Sequence, residues 1–375
     1  AIPKDTSIGY PLSGPKRNFI VLEDTKDFPD FSSPARLDES FWVEAERMEA
    51  IYLKGERCYP VFKACLKDEP TKLSSEKVRV FQAAPCALQL VLRKYYLPIA
   101  RVLSVMPLVS ECAVGLNSQG PEWDQMAEHI TRFGKDRILA GDYNKYDLRL
   151  PAQVMFAAFR VLIDVAKACG YGEDDVTVME GIATDVCYPL MAFNGDLIQL
   201  FGSNPSGHNL TVYINSVSNS LMMRCAYHGL VANPRNFQSD CAMTTYGDDV
   251  KGSVRSGVEN FNHVTVAQYL AAYDIVFTMP DKSGNPIPFL TDESADFLKR
   301  HNKYLPELGT YFGALDEKSI FKSLHCVLKS SAVTVEQQCM QNIDTALREW
   351  FFHGKAIYEA RRAEMQTVAT RANIS

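Results

Sequence analysis

No CxxC pair and no Cys/His group with zinc-ligand spacing occurs among the ten cysteines and seven histidines, which excludes the common structural zinc modules. A GxxxxGK[ST] phosphate loop is missing, so the chain is not a P-loop NTPase. The absence of a GxCG-type nucleophile turn leaves a cysteine protease without support. Nowhere do about 18 uninterrupted apolar residues occur, and the opening AIPKDTSIGYP has no basic segment leading into an apolar run. Membrane association is therefore expected only through a partner or a surface patch. Internal repeats and low-complexity tracts are lacking, and the Pro/Gly-rich patches at 1–16 and 280–288 are short enough to be loops. Positive charge is also scarce: the formal net charge is −6. That balance argues mildly against a nucleic-acid binder, although local fields, not the sum, decide binding. Residues 61–101 hold eight basic side chains against three acidic ones, enough for a local basic channel.

What is present is a 375-residue chain, 46% apolar, able to bury a large core as one lobed unit or as two to three interwoven subdomains. The ten cysteines read as reduced, mostly buried thiols of a cytosolic protein. Periodicity predicts a capped amphipathic helix over 38–54 and another over 86–103 with Leu88, Val91, Leu92 and Tyr95 on one side. The apolar run RILAGDY (137–143) reads as a buried strand delivering Asp142 at its C-terminal end, and Pro151 to Cys169 as a long helix. LIQLFGS (197–203) reads as a strand. A helix is expected from about 208 to 230, with Gly207, Thr211 and Asn215 along one face. Beyond the hairpin CAMTTYGDDVKGSV (241–254), a helix (258–272), a strand (273–279) and a turn at Asp281, Lys282 and Ser283 follow, and the tail from about 334 is helical in pattern.

The chemistry concentrates in two places. Tyr246, Gly247, Asp248 and Asp249 form YGDD at the hairpin tip, and Asp142 and Asp147 sit about a hundred residues earlier in GDYNKYD. Alone, YGDD is a plain turn more often than a metal site, because Gly and Asp suit tight turns for local reasons. Two adjacent carboxylates plus a third from a separate strand are, however, what a pair of Mg²⁺ ions needs to clamp an in-line phosphoryl transfer.

Taken in order, these pieces resemble the palm and fingers of viral RNA-dependent RNA polymerases of the picornavirus-like group. Asp142 to Asp147 resembles motif A, Ser206 to Asn215 (SGxxxTxxxN) motif B, and Tyr246 to Asp249 motif C. DKS (281–283) is similar to the motif D lysine loop and FLKR (297–300) to motif E; residues 66–81 resemble the basic motif F and Thr6 to Pro11 motif G. The family's order is kept from residue 6 to residue 300. The insect or marine picorna-like branch is a possible placement within the group.

The resemblance implies an α+β right-hand fold, with fingers over 1–135, palm with a fingers insertion over 136–203, palm over 204–296 and a helical thumb over 297–375. It also implies that the index-finger part is absent. The implied reaction is RNA synthesis from NTPs on an RNA template, with Mg²⁺ as cofactor and Mn²⁺ as a substitute. Asp142, the Tyr143 carbonyl, Asp248 and Asp249 are the implied metal ligands, and Lys282 the general acid for pyrophosphate. Asp147, Ser206, Gly207, Thr211 and Asn215 would select ribose. Lys67, Lys77 and Arg79, with Thr6, Ser7 and Gly9, would bind NTP phosphates and template; Phe297, Leu298, Lys299 and Arg300 would grip the primer. Implied partners are template and nascent RNA, NTPs, a small protein primer and other viral replication proteins. The setting is a polyprotein product in host cytoplasm, at membrane-associated replication complexes. The closest rival is a reverse transcriptase, disfavoured by Asp147 and the intact SGxxxTxxxN; a non-catalytic RNA-binding palm would have lost a carboxylate.

Overall fold

Ile138, Leu139 and Ala140 have no exposed surface at all, so the run that carries Asp142 is buried on both faces, as a central strand requires. The structure is a computed structural model describing residues 6–24, 26–27, 30, 34–67, 69, 78–281, 285–328, 330 and 333–374. The chain forms two compact units, one from residues 1–106 and 145–222, the other from 107–144 and 223–375.

In the first unit, helices Glu39–Tyr52, Cys86–Val105, Ala152–Ala168 and Glu173–Cys187 pack on one another. Asp38 caps the first of them by accepting from the Ser40 N–H at 3.0 Å. In the second, Leu88, Val91, Leu92, Tyr95, Tyr96 and Ile99 are buried, the spacing of one helical face. Gly181 permits the closest approach: a Cβ there would lie 2.4 Å from the Tyr52 ring. A four-stranded sheet runs in the order Val80–Ala83, Val61–Leu66, Leu190–Phe193, Asp196–Gln199, with only the middle pair parallel. The expected 197–203 strand thus ends at Gln199.

The second unit is built on an antiparallel sheet in the order Phe277–Thr278, Ile138–Tyr143, Asp249–Val254, Cys241–Tyr246. The helix Pro121–Thr131 packs against it. The hairpin Arg300–Leu305 with Thr310–Leu315 follows, and then helices Glu317–Leu324, Val335–Phe351 and Lys355–Arg371. Residue Glu111, only 2% exposed, takes a bidentate pair from Arg224 at 2.6 and 2.8 Å while its carbonyl accepts from the Thr245 N–H at 2.7 Å. That pair fixes the chain beside the Cys241–Tyr246 strand.

Three expectations need adjustment. The helix Thr211–Leu230 begins three residues later than predicted, so Gly207 lies ahead of it and not on its face. The helix predicted over 258–272 covers His263–Ala271, starting where Asn262 caps it. All ten cysteines are free thiols, but only Cys86, Cys112, Cys187 and Cys241 are buried.

Gly141 shows how tightly the central strand is packed. A Cβ there would sit 2.1 Å from the Phe277 ring, which is itself held between Tyr143 (centroids 4.9 Å) and His263 (4.9 Å) and cannot swing aside. Gly141→Ala is expected to lower unfolding free energy by about 1–3 kcal/mol, read from urea denaturation; a midpoint equal to wild type would contradict this packing.

Candidate active site

The sheet register places the carboxylates. Gly141 pairs with Val250 and Thr278 with Asp142, so one further step along the same antiparallel ladder sets Asp142 alongside Asp249. Tyr246 pairs with Asp249, which leaves Gly247 and Asp248 as a two-residue turn. Such turns need positive φ, and Gly247 supplies it at 63°. Asp248 is exposed at the tip, while Asp142 and Asp249 are half-buried. Asp142 Oδ1 accepts from the Tyr143 N–H at 2.8 Å, and its carbonyl accepts from the Thr278 hydroxyl at 3.1 Å.

Crowding of like charge is visible in the electrostatics. Burial first, then the charges of Asp248 and Asp142, push the Asp249 carboxyl up to about 7, with Lys299 pulling the other way. Burial, helped by the Asp248 charge, raises the Tyr143 phenol well above its usual range. The three carboxylates offer hard oxygen donors of the kind Mg²⁺ and Mn²⁺ take, and their excess negative charge fits a divalent cation. Among the described residues no three His, Cys, Asp or Glu side chains are yet grouped as a finished metal cage.

Phe297, Leu298, Lys299 and Arg300 stand in the same unit. Phe297, only 1% exposed, packs with Trp123 in a cluster that also receives Tyr246 and Leu298, so the YGDD hairpin and the FLKR turn share one core. Leu298 and Lys299 adopt left-handed φ of 56° and 59°. Lys299 bonds Asp296 at 3.0 Å. Its ammonium is raised: burial opposes, but the Asp296 bond and charge and the charges of Asp249 and Asp142 outweigh it. Arg300 is instead committed to Glu349 through bonds of 2.7 and 2.9 Å and to the Gly313 carbonyl at 2.7 Å.

Within the first unit, the motif B residues form a neutral polar network. Gln82 Oε1 accepts from both the Ser206 N–H and its hydroxyl at 3.0 Å. Gly207 bridges to Ala83, and a Cβ there would meet the Gln82 carbonyl at 2.1 Å, so only glycine fits. The Thr211 hydroxyl donates to the carbonyls of Pro205 at 2.8 Å and His208 at 2.9 Å, closing the loop on the helix start. Asn204 donates to Asn215 Oδ1 at 2.8 Å and meets His208 Nε2 at 2.8 Å. Burial drives the His208 imidazole down to about 3, so it is neutral near physiological pH. The Tyr146 hydroxyl donates to the Asn215 carbonyl at 2.8 Å, tying the short helix Tyr146–Arg149, which bears Asp147, to the Asn215 backbone.

The remaining sequence candidates lie elsewhere in that unit. Lys67 and Arg79 share Glu69 at 3.2 and 3.5 Å, and the Lys67 N–H donates to the Arg79 carbonyl at 2.9 Å. Thr6 accepts from the Lys16 ammonium at 2.7 Å, Ser7 bridges to Pro15, and Gly9, at φ 84°, abuts Pro85. Lys77 and Lys282 fall outside the described residues. Sequence reasoning missed Gln82, Asn204, His208, Asp296 and Lys251. Only Asn204 had a local signal, its place beside the SG of motif B.

A two-stranded carboxylate hairpin facing a third carboxylate on a neighbouring antiparallel strand defines a palm-type nucleic-acid polymerase. The fold matches a Sicinivirus 3Dpol RNA-dependent RNA polymerase with a TM-score of 0.77 at 17% identity, over 99% of this chain and 74% of that one. The sequence profile of the viral RNA-dependent RNA polymerases matches residues 1–366, and the chain belongs to that family. Its relatives include the replicase polyprotein of Drosophila C virus (strain EB), 28% identical over 97% of this chain and 22% of that protein. The genome polyprotein of deformed wing virus is 29% identical over 85% of this chain and 12% of that protein. The chain thus spans about a fifth or less of these polyproteins. The family inferred from motif order is the one found.

The Asp249 shift has a definite sign. A carboxyl raised from 3.8 to about 7 contributes stability that is full below 3.8 and is lost as pH rises through about 7. In metal-free buffer the wild-type melting temperature should therefore fall across that window relative to Asp249→Asn. Parallel melting curves for the two proteins would show that Asp249 is not held against its neighbours' charge.

Proposed function

We propose that this chain carries out template-directed RNA synthesis from NTPs on an RNA template, as the replicase portion of a positive-strand viral polyprotein. The observation that supports it most is the convergence of Asp142, Asp248 and Asp249 on one sheet end, with Asp249 pushed up to about 7 by burial and its neighbours. The reaction joins a 3′-oxygen to the α-phosphorus of an NTP and breaks the bond to pyrophosphate. Divalent ions, Mg²⁺ with Mn²⁺ as a substitute, would supply Lewis acidity for the 3′-hydroxyl and neutralise the triphosphate when bound.

The protein's own groups do the rest. Asp142, Asp248 and the Tyr143 carbonyl are the proposed metal ligands, and Asp249, with its raised carboxyl, is the weaker partner that orients them. Lys282 is proposed to hand a proton to the leaving pyrophosphate oxygen. Lys67, Lys77 and Arg79 would neutralise the phosphates, Arg79 through its planar fork. Thr6, Ser7 and Gly9 line the proposed template entry. Lys299 and its FLKR neighbours would hold the primer end.

Asp147 and Asn215 are assigned to the ribose 2′-hydroxyl, with Ser206, Gly207 and Thr211 shaping the loop that positions them. The support is the network itself: Asn204 and His208 fix the Asn215 carboxamide, so a missing hydroxyl would leave an oriented polar group without a partner. Template and nascent RNA, a small protein primer and other replication proteins are the proposed partners. The family relationship supports host cytoplasm, at membrane-associated replication complexes, as the place of action.

Asp248→Asn is expected to abolish nucleotide incorporation on a primed RNA hairpin in Mg²⁺ or Mn²⁺ while leaving the circular dichroism spectrum unchanged; full incorporation by this variant would remove the two-metal reading. Asp147→Ala and Asn215→Ala should each raise dNTP use relative to NTP by about tenfold, measured as a ratio of single-turnover rates. An unchanged ratio would take the ribose assignment away from both residues.

A further inference from the structure

Lys251 lies two residues after Asp249 on the same strand and is only 1% exposed. The surrounding strand is otherwise apolar or small, so a fully buried ammonium there is unexpected; buried charges are poor contributors to stability by themselves. All three of its donors are used: Asp292 Oδ1 at 2.8 Å, the Asp292 carbonyl at 3.2 Å and the Ala295 carbonyl at 2.7 Å. Asp292, in turn, accepts from Asn302 Nδ2 at 2.9 and 3.2 Å, and Asn302 Oδ1 accepts from the Trp123 indole at 3.0 Å. One unbroken polar chain thus links the catalytic strand, the 292–295 segment, the Arg300–Leu305 strand and the Pro121–Thr131 helix.

The segment that Lys251 holds runs directly into the turn bearing Lys299. That turn has two consecutive left-handed residues and so depends on its flanks to keep its shape. We propose that Lys251 is a positioning residue, whose buried ammonium clamps the strand of Asp249 to the Asp292–Ala295 segment and thereby fixes the Lys299 charge beside the catalytic carboxylates. The inference rests on the polymerase reading and adds a residue to its machinery.

A cation held in place beside carboxylates eases their repulsion but also repels an incoming divalent ion. Releasing it therefore has a signature that general loosening lacks. A merely structural lysine, once removed, weakens metal binding and catalysis together; a positioning lysine, once removed, weakens catalysis and tightens metal binding.

The test uses the whole chain, with Mn²⁺ alone titrated by calorimetry and single-turnover incorporation measured on primed RNA. Lys251→Met is expected to tighten Mn²⁺ binding by about tenfold and to slow incorporation by about tenfold. Lys299→Met should tighten Mn²⁺ binding to the same extent, and adding Lys251→Met to it should change nothing further. Weaker Mn²⁺ binding in Lys251→Met, or additive tightening in the double variant, overturns the proposal. If Lys251→Met does not fold, Asn302→Ala cuts the same chain one link further out and carries the same expected signs. A wild-type chain that fails to incorporate nucleotides counts against the polymerase reading, while the sign of the Mn²⁺ shift still decides the role of Lys251.

Discussion

Carboxylates of like charge are held side by side because a buried antiparallel ladder leaves them no alternative. Two unit charges 4 Å apart at an effective dielectric of about 20 repel by about 4 kcal/mol, and the fold must supply what that repulsion removes. It does so through Ile138, Leu139 and Ala140, which bury both faces of the central strand, and through the Gly141 to Val250 register. Asp249 registers the strain as a carboxyl near 7. A site that is unfavourable without a cation is one that a cation relieves, so the metal-binding tendency follows from the sheet and not from any single side chain.

The two units divide the chemistry by kind. The second unit gathers charge: three carboxylates, Lys299 and the buried Lys251 with Asp292. The first assembles neutral dipoles around Asn215, where even the histidine is kept uncharged by burial. Recognition of a hydroxyl needs oriented neutral partners that lose a bond when it is missing, whereas phosphoryl transfer needs charge. Asp147 connects the two sets covalently, five residues beyond Asp142 on the same chain.

Local signals made the charged half legible. RILAGDY is a buried strand because three consecutive apolar residues have no polar face to offer, and Gly-Asp between alternating strands fixes a two-residue turn. The helix Ala152–Ala168 was equally plain from its apolar spacing. The neutral half was less so. Gly207, Thr211 and Asn215 fit a helical spacing, yet Gly207 belongs to a bridge with Ala83, since spacing alone does not say where a helix begins. Gln82 and Ser206 are 124 residues apart, and Lys251 and Asp292 are 41 apart; side chains so distant leave no periodic trace. Their partnership exists only once the chain is folded.

The neighbours Lys299 and Arg300 show why residue type, and not charge alone, decides what a motif does. A guanidinium offers a planar fork, and Arg300 uses it on Glu349, a largely buried carboxylate (13% exposed), fastening the Arg300–Leu305 strand to the Val335–Phe351 helix. An ammonium is a compact point charge that stays hydrated, and Lys299 keeps 58% of its side chain exposed while acting on Asp249 and Asp142. Exchanging the two would strand Glu349 with a single weak contact and would set a rigid fork where an adaptable charge is needed. Adjacent positions of one short motif thus perform opposite tasks, one anchoring the hairpin and the other tuning the field at the carboxylates.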